Sequence, residues 1–141
     1  MTSLSPITAT LGVALGGGIG AALRYNLGRA MTAWLGVPAV STFPWPTLAA
    51  NAIGSLVMGL LAGGLARGFA DGHADPLRLI LGVGLLGGFT TFSAFSLETW
   101  LLIERGQVSI ALLYVLLSVS LSISALAVSY THLTLPTIYS V

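Results

Sequence analysis

Leu79-Ile80-Leu81-Gly82-Val83-Gly84-Leu85-Leu86-Gly87-Gly88-Phe89-Thr90-Thr91-Phe92-Ser93-Ala94-Phe95-Ser96-Leu97 runs between Arg78 and Glu98 without a charged residue. A helix needs roughly 20 predominantly apolar residues to cross the hydrocarbon core of a bilayer, and this stretch has that length. Its middle does not read as ordinary helix. Gly87 and Gly88 are adjacent, which weakens a helix. Thr90 and Thr91 follow, with hydroxyls that can bond backbone carbonyls. The segment Gly87-Gly88-Phe89-Thr90-Thr91 therefore predicts either a simple kink or a functional break in mid-membrane. Broken backbone at that depth is tolerated only where protein buries it or a wet cavity reaches it. Freed carbonyls and half-helix ends are also a means of holding Na⁺.

The flanking sequence repeats the pattern. Met1 to Leu23, Ala30 to Ala66 and Gly106 to Val141 contain no Asp, Glu, Lys or Arg. Pro38, Pro44 and Pro46 divide the second of these into a loop and a helix start. Gly68-Phe69-Ala70-Asp71-Gly72-His73-Ala74-Asp75-Pro76 is polar and punctuated by Gly and Pro, hence a loop. A tight turn is expected around Gly106. The expectation is an all-α integral membrane protein with four transmembrane helices, near 8–33, 46–67, 77–103 and 108–129, the third broken. The first apolar stretch is not read as a signal peptide, because no basic residue precedes it.

Composition supports this class. The chain has 141 residues, 55% hydrophobic and 6% charged, where a soluble domain carries about a quarter charged residues. Such a chain cannot cover a water-facing surface with polar groups, which argues against a soluble enzyme. A formal net charge of +1 gives no footprint for a nucleic acid. With no Cys, two His and four carboxylates, little remains for a catalytic metal, and His73 reads as a solvated side chain beside acidic neighbours. Orientation is ambiguous. Arg67 and Arg78 fall on one side, and Arg29 and Arg105 on the other, with Arg24 nearby. Basic residues near span ends set orientation, so this balance permits insertion both ways and an antiparallel pair of identical chains.

Small residues recur at spacings of four: Gly12, Gly16 and Gly20; Ala50 and Gly54; Gly59 and Gly63; Gly84 and Gly88. In lipid this lets helix backbones approach closely. It implies a compact bundle with little room for a wide pore. Polar side chains also form rows on single helix faces. Thr47, Asn51 and Ser55 lie on span two, and Tyr114, Ser118 and Ser122 on span four. Ser120 and Ser124 form a second row on nearly the opposite side, so at most one Ser row faces a pathway. Each row is either interhelical glue or a route of neutral hydrogen-bond donors. Phe92 and Phe95 share a face of span three and either meet lipid or offer their positive ring edges to an anion. Glu98 continues that face, and Arg24 is a candidate cation near the other end of the rows. Spans one, two and four hold no carboxylate for a cation substrate. Neutral donors lining the route point to a small hydrated anion, which needs a substitute for its water shell.

Gly17-Gly18-Ile19-Gly20-Ala21-Ala22-Leu23-Arg24-Tyr25, Thr47-Leu48-Ala49-Ala50-Asn51-Ala52-Ile53-Gly54-Ser55 and Gly84 to Ser96 together resemble the CrcB/Fluc family of fluoride channels, over about residues 11–128. The third segment is the most specific. The resemblance implies an antiparallel, dual-topology homodimer with two pores in the bacterial inner (plasma) membrane. Pairing with a paralogous subunit stays open. A passive channel of this kind relieves the toxicity of cytoplasmic fluoride. The resemblance also implies a structural Na⁺ at the dimer centre, with Gly87 and Thr90 similar to its backbone-carbonyl donors. It makes Phe92 and Phe95 the paired pore aromatics and Asn51 the pore amide. Thr47, Tyr114, Ser118 and Ser122 become the polar track, Glu98 the acidic residue near the pore, and Arg24 the basic residue of the vestibule. Position 94 is Ala where the family often has Thr, with little consequence expected.

Two other readings compete. A four-span proton-coupled multidrug exporter needs a carboxylate within span one, and none is present. A non-transporting assembly subunit leaves the aligned polar rows unexplained. Residues 129–141 change composition abruptly and match nothing in the family. They read as a non-native tail after a channel domain of residues 1–128, with span four shortened in consequence.

Overall fold

The computed structural model describes residues 4–135. Among these there is no strand, and four helices are long and apolar enough to cross a membrane. The chain is built as a multi-pass membrane protein. Helix α1 (Pro6–Leu35) begins where Ser5 Oγ accepts from Thr8 N–H at 3.2 Å. Pro6 follows in the first turn, where its missing N–H costs nothing. Gly36, at φ +89°, ends α1 in backbone that L side chains rarely adopt. Chain direction then changes into α2 (Val37–Thr42).

The expected loop around Pro38 is thus a short helix. Pro38 occupies its first turn, a position where proline is well tolerated. Helix α3 (Trp45–Ala66) forms span two and likewise starts with a proline in its first turn. Gly68 and Gly72, both at positive φ, shape the turn that follows. Span three covers Ala74–Glu104 and starts before residue 77, because α4 (Ala74–Leu77) takes Pro76 into its first turn.

Arg78–Leu86 is wound as a π-helix. Its wider turn shows where Gly87 N–H reaches back five residues to Gly82 O. Short α5 (Gly87–Phe89) follows. Helical dihedrals then stop. Thr90 (φ −86°, ψ 159°) and Thr91 (φ −153°, ψ 119°) are extended, and α6 (Phe92–Glu104) begins after them. Gly106, at φ +76°, turns the chain into α7 (Val108–Thr134), which is span four.

Span four does not stop at residue 129. Its last turns pack on span two, where a Cβ on Gly59 would overlap Ser129 Oγ and one on Gly63 would lie 2.9 Å from Leu133 Cβ. Residues 136–141 of the expected tail lie outside the described residues.

The bundle is built in two pairs. Span two lies along span four, and span one along the first half of span three. Backbones touch in the second pair. A Cβ on Gly16 would lie 2.6 Å from Ile80 O, and one on Gly20 would overlap Leu85 O. The buried core is small and centres on Phe43, Leu48, Leu102, Ala111 and Tyr114. Many large apolar side chains face outward, including Leu15, Leu116 and Ile123. This distribution fits a chain solvated by lipid or by a second subunit rather than by water.

Candidate functional site

The interruption in span three is held by a side chain from span two. Asn51 Oδ1 accepts from Thr91 N–H at 2.8 Å, and Asn51 Nδ2 donates to Thr91 O at 3.0 Å. This paired bond copies what an adjacent backbone strand would offer, and it satisfies both ends of the amide. Thr91 Oγ1 then accepts from Ala94 N–H at 3.2 Å and caps α6, a favoured role for Thr. Both bonds take amides away from the helix ladder. In a continuous helix, Thr91 N–H would reach Gly87 O, and Ala94 N–H would reach Thr90 O. Those two carbonyls are therefore released by the same local arrangement. Gly88 O accepts instead from Arg24 Nε of span one, at 3.3 Å.

A second cluster lies two turns further along span three. Glu98 accepts two hydrogen bonds, from Thr47 Oγ1 to Oε1 and from Tyr114 Oη to Oε2, both 2.7 Å. Such lengths are typical of hydroxyls donating to a carboxylate. Tyr114 is fully buried. Its ring lies edge-on to Phe43 at 5.5 Å between centroids and tilted against Phe95 at 5.2 Å. Phe95 in turn lies 5.6 Å from Phe92. Rings therefore run without a gap from the core to Phe92, whose ring projects from this chain at 78% exposure.

Two cavities divide the expected site residues. One, of about 380 Å³, is lined by Asn51, Ser55, Thr90, Thr91, Phe92, Phe95, Ser118 and Ser122. The other, of about 840 Å³, is lined by Arg24, Arg29, Thr47, Ala94 and Glu98. Tyr114 lines neither, but its hydroxyl bonds Glu98 of the second cavity and its ring is tilted against Phe95 of the first. The polar row on span four is therefore divided. Ser118 and Ser122 meet the first cavity, while the Tyr114 hydroxyl is committed to the carboxylate. Ser118 Oγ is buried without a hydrogen-bond partner, an unusual state for a native hydroxyl. Ser120 and Ser124 face outward. Gly87 is exposed and Thr90 half-buried.

Sequence reasoning missed Arg29 as a lining residue of the larger cavity. Its charge, a little over one turn beyond Arg24, was the available signal. Arg29 also stands over the Tyr25 ring, 6.0 Å from its centroid. Arg105 was missed too. With Glu98, Thr47 and Ser41 it lines a third cavity of about 240 Å³ beneath α2, a helix that the proline pattern had concealed.

Residues 11–130 match the family model described as CrcB-like protein, Camphor Resistance (CrcB). The chain is 64% identical over 126 residues to the fluoride-specific ion channel FluC of Erythrobacter litoralis, covering 89% of this chain and 92% of the relative. It is 58% identical over 120 residues to the protein of the same name from Novosphingobium aromaticivorans, covering 85% and 91% of the two chains. A third relative of that name, from Rhodospirillum centenum, is 47% identical over 116 residues, with 82% and 87% covered.

Proposed function

This chain belongs to the CrcB family, and from that premise we propose that it is a fluoride-selective passive channel through which fluoride leaves the cytoplasm. External acid drives HF across lipid, and the acid dissociates inside. A channel then lets the trapped anion leave down its gradient. One observation carries the assignment of the path: Asn51, Phe92, Phe95 and Ser118, whose hydroxyl has no internal partner, line a single cavity. Asn51 keeps a second amide hydrogen after donating to Thr91, and the Ser118 hydroxyl has no internal claim on it. These groups replace water around a small anion without the tight hold of a formal positive charge. The Phe92 and Phe95 ring edges add weak positive potential.

Arg24 and Arg29, around the larger cavity, raise the local anion concentration at its mouth. Thr47 and Tyr114 occupy both oxygens of Glu98, which limits the repulsion that its carboxylate presents to a passing anion. The interruption at Thr90 and Thr91 lies at mid-depth in the membrane in this reading.

The chain works as an antiparallel dual-topology pair, consistent with the nearly equal Lys/Arg content of the two ends. Na⁺ is the structural cofactor. Hard cations take oxygen donors, and the Gly87 and Thr90 carbonyls, deprived of their helical amides, are oxygens of that kind. With the same two carbonyls from a second chain they would hold the ion at the dimer centre, where it supplies fixed positive charge and ties the chains together.

Purified protein in liposomes is expected to release fluoride rapidly and chloride poorly. Phe92→Ile and Phe95→Ile should each reduce fluoride throughput while the oligomeric state is unchanged. Equal chloride release by the unmodified protein would overturn the selectivity, and undiminished flux in both variants would overturn the aromatic path.

A further inference from the structure

Span one is unbroken helix throughout, yet the glycines in its middle abut the most irregular backbone in the protein. A Cβ on Gly20 would overlap Leu85 O and lie 2.8 Å from Phe89 N, and one on Gly88 would overlap Gly17 O. One turn beyond Gly20, Arg24 sends Nε to Gly88 O, 64 positions away in the chain. That carbonyl needs a donor from elsewhere. In an unbroken helix it would receive Phe92 N–H, but Phe92 lies beyond the extended pair. Gly88 also directly follows Gly87, one of the two carbonyl residues assigned to Na⁺, and lies one helical turn before the start of α6. An unpaired carbonyl in a membrane interior is costly, and the segment after two adjacent glycines has little stiffness of its own.

From these observations we infer that Arg24 is a positioning residue. Its guanidinium fixes the Gly88 peptide and thereby holds the Thr90–Thr91 interruption in the conformation that Asn51 clasps. The role requires a guanidinium rather than only a positive charge. Nε lies along the side chain and bonds Gly88 O, a bond that does not occupy the terminal nitrogens, and Arg24 also lines the 840 Å³ cavity. A lysine carries its charge on a single terminal atom and cannot serve both places. The inference goes beyond a vestibule cation. It draws on the channel reading only for its flux measurement.

The test compares the full-length protein with Arg24→Lys and Arg24→Gln, using amide hydrogen exchange in lipid nanodiscs and fluoride efflux from liposomes. Thr91 and Ala94 amides report the interruption directly, since their partners are Asn51 Oδ1 and Thr91 Oγ1. Both variants should exchange at these amides about tenfold faster, in keeping with the loss of one hydrogen bond from a charged donor. Exchange across the middle of α7 should stay within about twofold of the unmodified protein. Fluoride efflux should fall in both variants, with Lys failing to rescue. If Arg24→Lys leaves exchange and efflux unchanged, Arg24 acts through charge alone and the inference is overturned. Uniformly faster exchange in all four spans, or a failure of both variants to fold, would make Arg24 a general packing residue and overturn it equally. Absence of fluoride efflux from the unmodified protein would remove the channel reading, while the exchange comparison would still decide the role of Arg24.

Discussion

The two halves of span three do different work with the same kinds of residue. Before the interruption, Arg78–Leu86 is π-helical and lies backbone to backbone on span one, through Gly16 and Gly20 on one side and Gly84 on the other. After it, α6 is regular, meets span four, and presents Phe95 and Glu98 to Tyr114. The first half is an anchor with almost no side chain in its contact. The second is a set of rings and one carboxylate aimed at cavities. Two extended residues separate them, so the face each half presents can be set independently. A single continuous helix would have to keep both functions in one helical register.

The sharpest way to break this comparison is to add bulk on the anchor. Gly20→Val places carbon atoms where Leu85 O and Phe89 N already lie. Overpacking against side chains costs about 1–3 kcal/mol, and here the obstacle is backbone that cannot rotate away. The variant should yield no monodisperse folded protein on size-exclusion chromatography. Gly18→Val, where an added Cβ meets nothing within 4 Å, should remain folded. Similar behaviour of the two would mean that the close approach is not what fixes the anchor.

A smaller effect is expected at the junction between the halves. Asn51→Ala leaves both Thr91 N–H and Thr91 O without partners. A buried polar group left unpaired costs about 1–3 kcal/mol, so denaturation in mild detergent should shift by that amount. Fluoride flux should fall about tenfold or more, since each 1.4 kcal/mol is a factor of ten. A stable variant with full flux would show that the interruption holds itself.

The smallest effect on stability belongs to the cavity beyond the junction. Ser118→Ala removes a buried hydroxyl that has no partner, so stability should stay within about 1 kcal/mol or rise slightly, while fluoride flux falls. Ser120→Ala, on the outward face, should change neither quantity. Equal flux in the two alanine variants would place the anion elsewhere than the Ser118 wall.

Much of this was legible in the residue order. Charge-free lengths marked the spans to within a few residues at most ends, and Gly106 sits at the tight turn expected there. The Gly-Gly-Phe-Thr-Thr segment singled out the place where helical dihedrals stop. The spacing of Ser118 with Ser122, and of Ser120 with Ser124, showed two faces of span four but not which one faces inward. That choice depends on where span two lies. The π-helical winding of Arg78–Leu86 left no trace in the hydropathy pattern, because apolar length alone does not distinguish one helical winding from another. Helix α2 was concealed because proline is as much at home in a first helical turn as in a loop.

What the sequence determined by itself is set by local and solvent-level physics. Apolar length decides membrane crossing, and adjacent glycines followed by threonines decide where a span is weak. Only the tertiary structure decided which polar atoms meet. Asn51 bonds Thr91, Arg24 bonds Gly88, and Thr47 and Tyr114 both bond Glu98, across 40, 64, 51 and 16 positions respectively. A hydrogen bond needs its atoms within about 3 Å of each other, and such proximity between distant residues exists only once the helices have packed.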